Sequence, residues 1–209
     1  MRLLIIDDHA IVRRGLKEVF VDAFSELESG EAENSPAALE LVTSQRWDLI
    51  LLDINIPGRS GLELLSELKR LAPGTPVLVV SAYREEEFAV RSLKLGASGY
   101  LQKSSDSSEV IAAARKVLAG GKYVTALLAE RLAASLGGDI QFAAHESLSS
   151  RELQVLRLIA TGKTIKEIAG ELALSEKTIG TYRSRISEKL GLSTNVELTR
   201  YAMQHQLAD

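Results

Sequence analysis

Five side chains in the first half of this 209-residue chain carry complementary chemistry: Asp7, Asp8 and Asp53 offer carboxylates, Ser81 a hydroxyl and Lys103 an ammonium. Each stands where a hydrophobic run gives way to polar residues, after Leu3 to Ile6, Leu49 to Leu52, Val77 to Val80 and Tyr100-Leu101. Three carboxylates brought together repel one another. A small hard cation such as Mg²⁺ relieves that repulsion, takes oxygen ligands octahedrally and bridges carboxylate to phosphate. A carboxylate oxygen can also attack phosphorus, while a hydroxyl and a compact ammonium can grip phosphoryl oxygens. The set is a candidate phosphate site with Asp53 as its nucleophile.

These residues meet only if the elements that carry them bring their ends together. The apolar runs alternate with stretches of helical spacing, including Val12, Leu16, Val19 and Phe20, then Leu62, Leu65 and Leu68, then Val110, Ile111, Ala114 and Leu118. A poorer strand candidate sits near Phe24 to Leu27, and Ser35-Pro36 reads as a cap and first helical turn. Such alternation predicts an α/β fold: a doubly wound, five-stranded parallel sheet with helices on both faces. Ligands of such sheets bind beyond the strands' carboxyl ends, where all five residues fall. The loop Asp53-Ile54-Asn55-Ile56-Pro57-Gly58 turns there and can aim the Asn55 carbonyl at the same cation.

Composition bounds the setting. The chain has no cysteine, which excludes disulfides and thiolate metal sites, and suits a reducing cytosol. No apolar run approaches the roughly 20 residues needed to cross a bilayer, so the expectation is a cytoplasmic protein without a membrane partner. The net charge of −3 is uneven: residues 148–209 carry +2 and the rest −5. An acidic cation-binding part joined to a part that meets polyanions is compatible with that contrast. The expected division is 1–120, a linker at 121–147 that includes a helix at about 125–136, and a second domain at 148–209.

From Leu148 onward the pattern is helical. Ser149/Glu152, Thr164/Glu167 and Thr194/Glu197 have the spacing of capping boxes, Ser175 can cap another helix, and Gly191 can end it. Winding residues 176–190 at about 100° each puts Ile179, Tyr182, Ile186 and Leu190 in one arc and Lys177, Thr181, Ser184 and Glu188 opposite, flanked by Gly180 and Arg185. A short helix, a tight turn through Ala173-Leu174-Ser175 and this second helix form a candidate helix-turn-helix within a small all-α, four-helix domain. Lys177, Thr181, Ser184 and Arg185 are the expected main contacts to double-stranded DNA.

Asp7-Asp8-His9, Asp53-x-x-x-Pro57-Gly58, Ser81-Ala82-Tyr83 and Gly96 to Lys103 together resemble a bacterial response-regulator receiver domain, which has a flavodoxin-like fold. The resemblance implies Asp53 as phosphoacceptor, Asp7 and Asp8 as Mg²⁺-holding acids, Ser81 as switch hydroxyl, Tyr100 as switch aromatic and Lys103 as phosphate-sensing lysine. Ser104 departs from the proline common in that family. The run from Leu148 through Gly162-Lys-Thr, Leu172 to Ser175 and Thr178 to Gly191 is similar to the LuxR-type helix-turn-helix of NarL/FixJ regulators. That likeness implies Lys177 to Lys189 as recognition helix, including Gly180, Arg183 and Lys189, with Thr164 and Lys166 near DNA phosphates. Gly180 and Tyr182 depart from the lysine and histidine frequent there. Together the resemblances imply a transcriptional regulator, not an enzyme, phosphorylated by a sensor histidine kinase and forming a homodimer when phosphorylated or on DNA. Two alternatives stay open: DNA binding independent of phosphate, and an Mg²⁺-dependent aspartyl-phosphate phosphatase.

Overall fold

The computed structural model describes residues 1–56, 61–82, 85–126, 128–130, 144–205 and 207–208. Pro57, Gly58, Tyr83 and the part of the anticipated 125–136 helix and linker at 131–143 lie outside the described residues. The chain divides into two compact units, Met1–Leu136 and Gly137–Asp209.

The first unit holds β1 (Arg2–Ile6), α1 (Ala10–Ala23), β2 (Glu28–Ala32), α2 (Ser35–Ser44), β3 (Leu49–Leu52), α3 (Gly61–Leu71), β4 (Val77–Ser81), α4 (Glu85–Lys94), β5 (Gly99–Gln102) and α5 (Ser107–Leu118). Its five strands are parallel in the order β2-β1-β3-β4-β5. The inner strands β1, β3 and β4 are apolar because both faces are covered: Leu3, Leu49, Leu51 and Leu78 share a core with Phe20 of α1 and Val110, Ala113, Ala114 and Val117 of α5.

β2 lies later than the anticipated Phe24 to Leu27. Phe24 instead ends α1, its N–H donating to the Phe20 carbonyl, and the two rings stack with centroids 5.5 Å apart. The strand that forms, Glu-Ser-Gly-Glu-Ala, is polar because it sits at the sheet edge and needs only backbone pairing with β1. The cap of α2 also shifts by one: the Asn34 side chain accepts from the Ala37 N–H, and Ser35 is the first helical residue. β5 extends one residue beyond the expected Tyr100-Leu101 at each end.

Beyond α5, Tyr123 pairs with Gly99 along the outer edge of β5. A helical turn then starts at Ala126, with the Leu128 N–H donating to the Thr125 hydroxyl.

The second unit opens with a 3-10 turn at Ala144–Ser147, followed by α6 (Ser150–Ala160), α7 (Ile165–Glu171), α8 (Glu176–Leu190) and α9 (Asn195–Gln204). Three of these helices begin with complete capping boxes, on Ser149, Thr164 and Thr194. Ser175 caps α8, and Gly191 ends it in the left-handed region at φ 66°. Leu153, Leu156, Ile168, Ile179, Ile186 and Leu198 bury a common interior.

The start of α3 is pressed against the loop that follows β3. A Cβ on Gly61 would lie 2.3 Å from the Ile54 Cα, so only glycine fits. Gly61→Ala is expected to destabilise the first unit by about 1–3 kcal/mol. Gly15→Ala, in the exposed interior of α1 where an added Cβ meets nothing within 4 Å, should stabilise it by up to about 1 kcal/mol. Calorimetric unfolding of the two variants checks both signs.

Candidate functional site: an acidic pocket and an exposed helix face

Parallel pairing dictates which residues leave the sheet together. Ile6 pairs with Leu52, and the next N–H, that of Asp53, donates to the Ile6 carbonyl at 2.8 Å. Ser81 pairs with Gln102, and the Lys103 N–H donates to the Ser81 carbonyl at 2.7 Å. The strand ladder therefore fixes these residues by backbone bonds before any side-chain contact is made.

The side chains converge. Lys103 Nζ lies 2.6 Å from Asp7 Oδ2 and 2.7 Å from Asp53 Oδ2, and both acids are only 2 % exposed. The other oxygen of Asp53 accepts from the Asn55 N–H at 2.9 Å, and Asp7 Oδ1 accepts from the His9 N–H at 2.8 Å. One ligand atom from each of Asp7, Asp8, His9 and Asp53 falls within a 4.8 Å span, which suits a single ion. Asp8 Oδ1 is buried without a hydrogen-bond partner among the described residues; His9 Nδ1 sits 2.7 Å away, outside hydrogen-bond geometry.

Burial sets the electrostatics. It pushes the Asp53 carboxyl above its usual range, with Asp7 adding to the rise, against the pull of the Lys103 ammonium and the Asn55 N–H. Burial also opposes the charge on Lys103, but Asp53 and Asp7 outweigh it and hold the ammonium above its ordinary value. The pocket is short of positive charge: one ammonium serves two buried carboxylates.

Of the residues picked out by sequence, Asp7, Asp8, Asp53 and Lys103 come together, Asn55 meets them through its N–H, and Ser81 is fully buried at the adjoining strand end. Tyr100 is buried at 1 % exposure on β5, three residues before Lys103. Arg13 was not anticipated. Its Nη1 donates to the Asp7 carbonyl at 2.7 Å and its Nε to Glu31 at 3.0 Å, bracing the β1 exit from α1. Its only sequence signal is its place one turn into a helix that starts beside the acids.

In the second unit the predicted face of α8 divides. Lys177, Thr181, Ser184 and Arg185 form an exposed stripe, opposite the buried Ile179 and Ile186. The hydroxyls of Thr181 and Ser184 donate back to the Lys177 and Gly180 carbonyls, which leaves their oxygens outward as acceptors. Gly180 flanks the stripe, half-buried, with open space where a Cβ would be.

Arg183 and Lys189 are engaged within the unit. Arg183 Nε donates to Asn195 at 2.6 Å and its Nη2 to the Ser193 carbonyl at 3.3 Å. Lys189 donates at 2.6 Å to Glu152, whose carboxylate also accepts from the Ser149 N–H. Burial pushes Glu152 up, yet Lys189 and Ser149 hold it below the usual carboxylate range. Thr164 shares its hydroxyl with Glu167 in the α7 cap, and Lys166 is exposed beside it.

The raised Asp53 pKa fixes a sign. In the unfolded chain Asp53 loses its proton first, so its contribution to stability is full below the ordinary carboxyl value of 3.8 and is lost as pH rises through the folded value. In the presence of a chelator, Asp53→Asn is expected to be more stable than the wild type at neutral pH, and the gap should close in acid. Urea midpoints measured across that pH range check it.

Comparison with known proteins places these sites in a family. The family described as "Response regulator receiver domain" matches residues 3–115, and "Bacterial regulatory proteins, luxR family" matches residues 146–202. Response regulator GacA of Pseudomonas aeruginosa is 35% identical, the alignment covering 100% of this chain and 98% of that protein. Response regulator UvrY of Escherichia coli is 31% identical, covering 100% and 96%. Among solved structures, RcsB of Salmonella typhimurium superposes with a TM-score of 0.70 at 25% identity, covering 98% of this chain and 97% of that one. A second RcsB structure, bound to promoter rprA in the presence of the phosphomimetic BeF₃⁻, gives a TM-score of 0.64 at 26% identity, covering 96% and 97%. The chain thus belongs to the two-component response regulators of the NarL/FixJ family, with a receiver domain followed by a LuxR-type DNA-binding domain.

Proposed function

We propose that Asp53 is the phosphoacceptor of a cytoplasmic transcriptional switch, charged by a sensor histidine kinase, and that α8 reads double-stranded DNA. The observation that carries the reading is the convergence of Asp7, Asp8, Asp53 and Lys103 at the carboxyl edge of the sheet. The donors fit Mg²⁺: they are hard oxygens, the pocket holds one ammonium against two buried carboxylates, and Asp8 Oδ1 is buried without a hydrogen bond among the described residues. Asp7, Asp8, Asp53 and the Asn55 carbonyl would hold the ion, which when bound neutralises charge on the phosphoryl oxygens.

The residues of the chain then have distinct tasks. An Asp53 oxygen attacks phosphorus as the donor departs with its bonding pair, and the Asn55 N–H orients the carboxylate. The product carries a charge of about −1.5 to −2 where a single negative charge stood. Lys103 moves its hydrogen bond from the carboxylate to the new dianion, and Ser81 donates its hydroxyl to the same group. Because Lys103 and Ser81 are joined through their backbones, the change is felt along β4 and β5, where Tyr100 packs.

In the second domain the stripe Lys177, Thr181, Ser184 and Arg185 makes the main contacts, with Thr164 and Lys166 placed toward phosphates. Gly180 offers clearance. Arg183 and Lys189 reach DNA only by releasing Asn195 and Glu152, so they rank behind the stripe. RcsB is seen as two dimers on two parallel DNAs, which supports a homodimer on DNA here as well. Among the described residues no helix is long and apolar enough to cross a membrane.

Incubation with Mg²⁺ and a small phosphodonor should add one phosphoryl group per chain by intact mass, and Asp53→Asn should add none. A labelled Asp53→Asn protein would refute the site. On a duplex selected from a random pool at fixed salt, alanine at Lys177, Thr181, Ser184 and Arg185 together should weaken binding at least about tenfold. Unchanged affinity overturns the DNA face, and equal wild-type affinity with and without phosphodonor makes the regulator independent of phosphate.

A further inference from the structure

The acids of the pocket differ in what holds them. Asp7 is tied through its side chain to the His9 N–H at 2.8 Å and to Lys103 at 2.6 Å, and its own N–H donates to the Ala32 carbonyl at 3.1 Å. Asp53 is held by the Asn55 N–H and by Lys103. Asp8 Oδ1, in contrast, is buried with no hydrogen bond among the described residues. The direction of that carboxylate is therefore set by the backbone that carries it.

Arg13 grips that backbone. The Asp7 carbonyl and the Asp8 N–H belong to one planar peptide unit, and Arg13 Nη1 donates to this carbonyl at 2.7 Å. Nε of the same guanidinium donates to Glu31 on β2 at 3.0 Å, and the Arg13 side chain is only 14% exposed. Because the guanidinium is a rigid fork, the two bonds fix its orientation, and with it the plane of the Asp7–Asp8 peptide. Glu31 also compensates the charge of Arg13 at close range, so the grip is geometric and does not set a bare cation against a bound one.

We propose that Arg13 is a positioning residue for Mg²⁺: by holding the Asp7–Asp8 peptide plane, it aims the Asp8 carboxylate into the 4.8 Å span that it shares with Asp7 and Asp53. The inference rests on the Mg²⁺ reading of the acidic pocket and adds a residue that touches neither the ion nor the phosphoryl group. Groups that orient a metal's ligands are commonly worth about 10–100-fold in affinity. The polar edge strand thereby gains a task, since its Glu31 anchors the guanidinium.

The test titrates Mg²⁺ into the full, unphosphorylated chain by calorimetry. Arg13→Ala should weaken binding at least about tenfold. Arg14→Ala, which removes an exposed neighbour paired only with Glu18 among the described residues, should not change it. In an Asp8→Asn background the same Arg13→Ala change should cost less than in the wild type, because Arg13 acts through Asp8. Raising Mg²⁺ should restore the rate at which a small phosphodonor labels Arg13→Ala. In wild-type ¹⁵N spectra the Arg13 Nε–H signal should be protected from exchange and should shift with Mg²⁺ on the same curve as the Asp8 amide, a readout that stands even if a variant fails to fold. Unchanged Mg²⁺ affinity in folded Arg13→Ala, an equal loss in the Asp8→Asn background, or an Arg13 signal that exchanges freely and does not move would overturn the proposal and leave the phosphoacceptor reading in place. A chain that binds Mg²⁺ with this dependence on Arg13 but takes up no phosphoryl group would support the proposal and remove that reading alone.

Discussion

One ammonium facing two buried carboxylates is the interaction on which the receiver depends. Lys103 reaches Asp7 and Asp53 together at the end of three different strands, and no residue near it in sequence could do so. The sheet order makes the meeting possible: β1 and β3 are neighbours, β4 joins β3 to β5, and every strand points the same way. The pocket is consequently a property of parallel pairing. One ammonium against two buried carboxylates leaves the pocket short of positive charge. That shortfall holds the Asp53 carboxyl above its ordinary range and costs stability at neutral pH.

Much of this was legible in the sequence, for definable reasons. Strand ends could be located because β1, β3 and β4 are buried on both faces and must be continuously apolar, so the first polar residue after each run marks an edge. The helix starts of the second domain were legible because a capping box is a local device: three residues of separation suffice to state it, and tertiary context does not alter it. The edge strand β2 was not legible. Its partner recognises only backbone, and residues Glu28 to Ala32 carry no apolar alternation.

Side-chain commitments were the other gap. Arg183 and Lys189 look like free cations in a helical wheel, but Asn195 and Glu152, which engage them, come from other helices. A wheel contains no information about what packs beside it. For the same reason Arg13 gave no hint that it would brace the Asp7 carbonyl. The convergence of Asp7, Asp8, Asp53 and Lys103 could be read because each stands at a strand end; the partners that restrain them are set by packing.

The bare position at Gly180 has a consequence for how such regulators diversify. A side chain placed there would project at the edge of the exposed stripe, with nothing among the described residues within 4 Å of its Cβ. If α8 reads DNA as proposed, its sequence preference can change by a single codon at little cost to folding, while the acidic pocket stays untouched. On that proposed reading, related regulators can differ at the DNA-facing helix and share one acidic pocket.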